Sequence, residues 1–279
     1  MRLVLGVMLL TMAWPAAAQA TDYGGGTAPD SFNRTKGRLT LVGIRTNDTG
    51  RAQIRVGVSA RCGITRLRYP VQLNPDGTFA FAVNVQPHRL RDNQSVRQRA
   101  RIAMSGQVTG TTASGTARAR IVQRRGGRVI ARCRSGNRPW QARVASAETM
   151  PASTQPNGAY FGLTSQRRVP FPIVLRVAPN ARRVRVAVFD YRQRCRKGFW
   201  EWENITPSGP IGSDGRFRLR ERFTFRWTEG PERYRVRVNG QFTPSGVHGT
   251  LSVTSVLRSH SGRVLDRCRT GRVTFAAVL

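Results

Sequence analysis

Along most of the chain, apolar and polar residues alternate with a period of two. Val184, Val186 and Val188 alternate with Arg183, Arg185 and Ala187, and Phe217, Leu219, Phe223 and Phe225 with Arg216, Arg218, Arg220 and Arg222. Tyr234, Val236 and Val238 alternate with Arg233, Arg235 and Arg237, and Leu251 and Val253 with Ser252 and Thr254. Successive side chains of a strand point to opposite faces, so each run predicts a half-buried strand with its arginines outward. Earlier in the chain the plan recurs with less contrast: Phe79, Phe81, Val83 and Val85 form one apolar set, and Ala100, Ile102 and Met104 alternate with Arg99 and Arg101. Turns are expected at Asn74-Pro75-Asp76-Gly77, Ser213-Asp214-Gly215 and Glu229-Gly230-Pro231. Residues 88–98 are polar and carry no apolar stripe, which reads as loop. Many short strands joined by tight turns predict an all-β chain of antiparallel β-sandwiches, with a closed barrel as the alternative.

The pattern occurs twice. Residues 105–144 align with 239–278: Gly106 falls on Gly240, Gly115 on Gly249 and, after one inserted residue, Cys133 on Cys268, Gly136 on Gly271 and Trp140 on Phe275. A tandem duplication follows, with copy 1 over residues 31–147, a Pro- and Ser-containing linker over 148–158 and copy 2 over 159–279. The conserved glycines read as turn residues, and Trp140 and Phe275 as core plugs.

Residues 1–20 have the form of a secretory signal: Arg2, an apolar run too short to span a bilayer unaided, then Pro15 and small residues up to Ala20. The next ten residues, TDYGGGTAPD, read as a flexible leader. An exported chain favours disulfides, and the duplication selects among three pairings: Cys62 with Cys133 and Cys195 with Cys268, one bridge per copy. Without a CxxC pair or adjacent histidines, a metal site is not expected.

Charge then narrows the partners. The chain carries a net +33, almost wholly from arginine, with 23 basic and 4 acidic residues in 30–147 and 23 and 8 in 159–279. Such a surface attracts polyanions, and guanidinium groups grip phosphate or carboxylate bidentately. The candidate anion-binding residues are Arg99 and Arg101 in copy 1 and Arg216, Arg218, Arg220, Arg233, Arg235 and Arg237 in copy 2. Nucleic acid is the weaker subclass, because base stacking needs exposed aromatics and most aromatics here fall at inward positions. A cell-envelope polymer or acidic glycan fits an exported protein better.

The second candidate is Phe199-Trp200-Glu201-Trp202-Glu203, present in copy 2 alone. In an extended segment, Trp200 and Trp202 share one face and Glu201 and Glu203 the other, the residue types of a sugar site. Carboxylates two apart on one strand cannot flank a glycosidic bond from opposing sides, so the glutamates read as partners for local arginines or as ligand contacts. His88, His248 and His260 sit at unrelated positions, and no nucleophile elbow, HExxH, phosphate loop or dinucleotide fingerprint occurs, so neither enzyme activity nor a cofactor is expected.

The opening Tyr160-Phe161-Gly162-Leu163-Thr164-Ser165-Gln166, the turn Asp214-Gly215-Arg216-Phe217, then Gly240, Gly249-Thr250 and Cys268 followed by Gly271 and Phe275 resemble secreted, two-cysteine, all-β domains of high-GC actinobacteria. Copy 1 lacks that opening but keeps Asp76-Gly77, Gly106, Gly115-Thr116, Cys133, Gly136 and Trp140. The resemblance implies an exported β module and no particular chemistry. The reading is therefore a secreted, monomeric, non-catalytic binding module for an anionic polymer, with a carbohydrate-binding or carbohydrate-active protein and a structural envelope component as alternatives.

Overall fold

The structure is a computed structural model that describes residues 20–27, 39–90, 93–144, 154–166, 170–196, 198–206, 208–244 and 246–279, with backbone alone for 202–206. The expected signal up to residue 19, the boundaries at 31 and 147 and the linker up to residue 153 lie outside the described residues.

The described chain is all-β. Copy 1 holds β1 (Thr21–Gly26), β2 (Thr40–Thr46), β3 (Arg51–Ala60), β4 (Gly63–Gln72), β5 (Thr78–Arg89), β6 (Val96–Thr109), β7 (Thr112–Arg125), β8 (Arg128–Arg134) and β9 (Arg138–Val144). Copy 2 holds β10 (Ala159–Thr164), β11 (Pro172–Val177), β12 (Arg183–Cys195), β13 (Gly198–Thr206), β14 (Gly209–Pro210), β15 (Arg216–Trp227), β16 (Gly230–Thr243), β17 (Gly246–Arg258), β18 (Val264–Arg269) and β19 (Val273–Val278). The two sheets have the same order, β4-β3-β2-β1-β9-β7-β6-β5 and β13-β12-β11-β10-β19-β17-β16-β15, and all pairings are antiparallel.

Both sheets curl into barrel-like domains. In copy 2, β18 bonds to β17 on one side and to β12 on the other, which closes a ring through β11, β10 and β19. In copy 1, β8 pairs with β7, and the Cys62–Cys133 disulfide ties it to the β3–β4 turn. The second bridge, Cys195–Cys268, joins residues directly opposite in the β12–β18 pair. One bridge per copy is the expected arrangement; each closes a loop of more than seventy residues, worth about 4 kcal/mol by loop entropy.

The inward faces form the main core of each copy, and in copy 1 a smaller cluster of Ala60, Ala100 and Ile121 surrounds the disulfide. Ile54, Val56, Ile102 and Trp140 lead the first, and Phe189, Tyr191, Tyr234, Val236 and Phe275 the second. Trp140 and Phe275 are plugs as expected, and Gly136 and Gly271 sit at positive φ in the turns before β9 and β19, but Gly106, Gly115, Gly240 and Gly249 are not turn residues. Gly106 pairs with Gly115 and Gly240 with Gly249 in mid-strand. A Cβ on Gly106 would lie 2.5 Å from the Trp140 ring, and one on Gly249 would lie 2.4 Å from Phe275. These glycine pairs are the floor on which the aromatic plug rests.

Two local expectations change. The leader is β1, hydrogen-bonded between β2 and β9. Gly25 faces Ala142 as Gly162 faces Ala277, so Tyr23-Gly24-Gly25-Gly26-Thr27 is copy 1's version of the Tyr160–Thr164 opening. Within 88–98, His88 and Arg89 end β5 and residues 96–98 begin β6, because the hairpin register continues past a bulge to Arg89↔Arg97.

Candidate anion-binding faces

The candidate arginines are brought together by register. On β15 the outward positions are Arg216, Arg218, Arg220, Arg222, Thr224 and Arg226; on β16 they include Arg233, Arg235 and Arg237, and all of these arginines are exposed. Arg220 stands directly opposite Arg237 and Arg222 opposite Arg235. The second row continues across the sheet from Arg235 to Thr254 on β17, Arg269 on β18 and Arg194 on β12. Four arginines thus lie in one line over five strands, about 20 Å at the usual strand spacing. A parallel row runs from Thr224 through Arg233 and Val256 to Arg267.

Copy 1 carries the same rows in shorter form. Arg101 faces Arg120, which faces Arg134; Arg99 faces Val122, which faces Arg132; and Arg97 faces Arg124. By position Arg101 matches Arg235, Arg134 matches Arg269, and Arg99 and Arg132 match Arg233 and Arg267. Its β5 is neutral here, with Asn84 where copy 2 has Arg222. Sequence reasoning found the ladders on β6, β15 and β16 but missed the extensions through Arg120, Arg134, Arg194 and Arg269. Arg120, Arg134 and Arg269 lie on the next strands along the chain and Arg194 on the distant β12, and all of them join the rows only through strand register.

No acidic side chain occupies an outward position of β15, β16 or β17. Glu232 points inward instead, 1% exposed, and accepts hydrogen bonds from the Trp227 indole (2.6 Å) and the Ser255 hydroxyl (2.7 Å). Asp266, also buried, accepts the backbone N–H of Arg196 and Arg267 (2.9 and 2.8 Å), so it shapes the turn beside the disulfide. Asp214 lies at the end of the face, 3.5 Å from Arg216.

The Trp-Glu segment is a strand, β13. Gln193 pairs with Trp200, Arg192 with Glu201 and Tyr191 with Trp202, so Trp200 shares its side of the sheet with the barrel interior and Glu201 lies on the outer side. Trp200 is 41% exposed, and Phe199 is 57% exposed with the Arg192 guanidinium 3.8 Å above its ring. The side chains of Trp202 and Glu203 lie outside those described. Glu201 is engaged by copy 1: it accepts from Arg55 Nη1 at 2.7 Å and pairs with Arg68. Burial works to raise its pKa, but Arg55 and Arg68 outweigh that and hold it below the usual carboxylate range.

That ion pair belongs to the junction between the barrels. Arg55 on β3, 4% exposed, donates to Asp190 Oδ2 on β12 at 2.5 Å and lies 4.7 Å from the centre of the Phe171 ring. Leu39 and Leu41 pack with Phe161, Val174, Val186 and Val188 in a separate apolar cluster. The backbones meet where Gly24 approaches Gly162, whose carbonyl oxygen would lie 2.1 Å from an added Cβ.

Protein-family models, curated proteins and solved structures were compared with the chain, and none matches.

Proposed function

We propose that the protein is an exported, non-catalytic module that binds an anionic polymer through the outer faces of β15–β18 and β6–β8. The observation that carries this reading is the row Arg222–Arg235–Arg269–Arg194, which places like charges side by side with no acid between them. Crowding of this kind is unfavourable in a sheet, and an anion of matching spacing relieves it. Two disulfides support an oxidising compartment, and among the described residues no helix is long and apolar enough to cross a membrane. The resemblance to secreted two-cysteine β domains agrees with this placement.

An acidic glycan or envelope polymer is favoured over nucleic acid. The aromatics nearest the rows, Phe223 and Tyr234, stack on each other on the inner side at 4.8 Å, away from any base on the outer face. Exposed Phe199 and Trp200 sustain a second reading, a carbohydrate site on β13, independent of charge.

The test is binding of the protein without its first twenty residues to heparin, DNA, teichoic acid and a neutral glucan across a salt series. Polyanion affinity should fall linearly in log–log form as counterions are displaced. Absence of polyanion binding at 20 mM salt would refute the proposal. Salt-insensitive glucan binding, lost in Trp200→Ala, would move the assignment to β13.

A further inference from the structure

We infer that the protein is a bivalent cross-linker, its two arginine faces holding two separate polyanion chains. This rests on the polyanion reading above and adds its valency and geometry.

The junction supplies the geometry. Sheet register equates Gly25 with Gly162, Leu39 with Pro170, Gly57 with Asp190 and Ile64 with Glu201. Across the junction, Gly24 meets Gly162, Gly43 meets Pro170, Arg55 meets Asp190 and Arg68 meets Glu201. Each residue therefore meets the counterpart of a position within four of its own. That is the signature of an isologous interface, in which two like bodies are related by an approximate two-fold axis. Such an axis carries the face of copy 1 to the far side of the molecule from the face of copy 2.

The faces also stand away from the junction, except for the Arg194 end of the copy 2 row, which shares β12 with Asp190. β1, β2 and β9 of copy 1 pack against β10, β11 and β19 of copy 2, with ion pairs added from β3 and β4 to β12 and β13. The central strands of the faces, β6 and β7 and their counterparts β16 and β17, lie on the opposite side of each barrel by sheet order. Two bodies of this size side by side put those strands about 50 Å apart. With screening over roughly 8 Å at physiological salt, an anion on one face leaves the other fully charged. The buried Arg55–Asp190 pair and the apolar cluster hold the two barrels in this fixed relation.

The experiment uses the same protein and heparin in two forms. Fragments about 20 Å long, matched to one row, should bind two per protein in calorimetry. Full-length chains carrying donor or acceptor dyes should show energy transfer that rises with protein and falls again in excess. A variant with Arg99, Arg101, Arg120 and Arg134 changed to Gln, and another with Arg220, Arg222, Arg235 and Arg237 changed to Gln, should each bind one fragment and lose at least tenfold in energy transfer. All eight positions are exposed, and urea midpoints no lower than that of the wild type check that both variants are folded. Fragment binding in the wild type with no energy transfer at any ratio would overturn the cross-linker while leaving the polyanion reading intact. Undiminished transfer in either variant would also overturn it, and no binding of either form at 20 mM salt would overturn both.

Discussion

Arg235 is where stability and binding should move in opposite directions. It faces Arg222 directly across the β15–β16 pair and is flanked on its own strand by Arg233 and Arg237. Guanidinium groups about 7 Å apart in water repel by about 0.6 kcal/mol, and in 10 mM salt, where screening extends to roughly 30 Å, most of that survives. In Arg235→Glu three near interactions change from repulsion to attraction. After a few tenths lost to the weaker strand preference of Glu, the variant should be about 2 to 3 kcal/mol more stable than the wild type at 10 mM salt. At 1 M salt, with screening over about 3 Å, the electrostatic gain should vanish and leave only the few tenths lost to strand preference. Arg235→Thr, which removes repulsion without adding attraction, should gain about half as much. The assay is urea unfolding followed by tryptophan fluorescence at both salt concentrations, beside heparin affinity, which should fall in both variants. A low-salt Arg235→Glu protein no more stable than the wild type would refute the claim that these arginines crowd one another.

Three other predictions concern the junction and the interior. Removing Asp190 leaves Arg55 buried with Glu201 alone, so Asp190→Asn should cost about 3 kcal/mol, and a double-mutant cycle with Arg55→Met should recover most of it. Glu201 has a depressed folded-state pKa, so its contribution is present above the unfolded carboxylate pKa and is lost as pH falls through the lower folded value; that part of the acid destabilisation should be absent in Glu201→Gln. In the core of copy 2, Gly249→Ala would place a methyl 2.2 Å from the Asn239 carbonyl and 2.4 Å from Phe275. It should cost about 1 to 3 kcal/mol as overpacking, and Phe275→Leu in the same chain should restore part of the loss, read from urea midpoints.

What the sequence revealed follows from what alternation encodes. A period of two separates the inside of a barrel from its outside, so the arginine ladders and both cores were legible, and duplication was enough to choose the disulfides. It says nothing through glycine: Gly24–Gly26 has no side chains to alternate, and β1 passed for a leader although it lies at the centre of the copy 1 sheet. The junction was hidden for a related reason. On β12, residues 184–191 run almost unbroken in apolar character and every one except the half-buried Arg185 is buried, because one side faces the copy 2 core and the other faces copy 1. Unbroken apolar character was the available signal for a strand covered on both faces. Reading only Val184, Val186 and Val188 against Arg183, Arg185 and Ala187 missed it.

The same junction explains where the acids of copy 2 are placed. An isologous pairing of two identical copies would set each position near its own counterpart. Two copies of the first barrel would then bring Arg55 against Gly57 and Arg68 against Ile64, burying the Arg55 guanidinium without a carboxylate. Two copies of the second would set Asp190 against Val188, burying a carboxylate without a cation. Removing one partner of a buried pair costs about 3 to 5 kcal/mol, so both like pairings are disfavoured and only the mixed pairing is satisfied. The two halves differ at the positions where they meet, with Arg55 and Arg68 on one side and Asp190 and Glu201 on the other. Glu232 and Asp266 are turned into their own barrel. The acids of copy 2 are thereby largely committed to internal bonds, and the outward rows of β15 to β17 are left with arginine and neutral residues alone. The charge of this chain is best understood as a division between a neutralised junction and two flanks on which repulsion is retained.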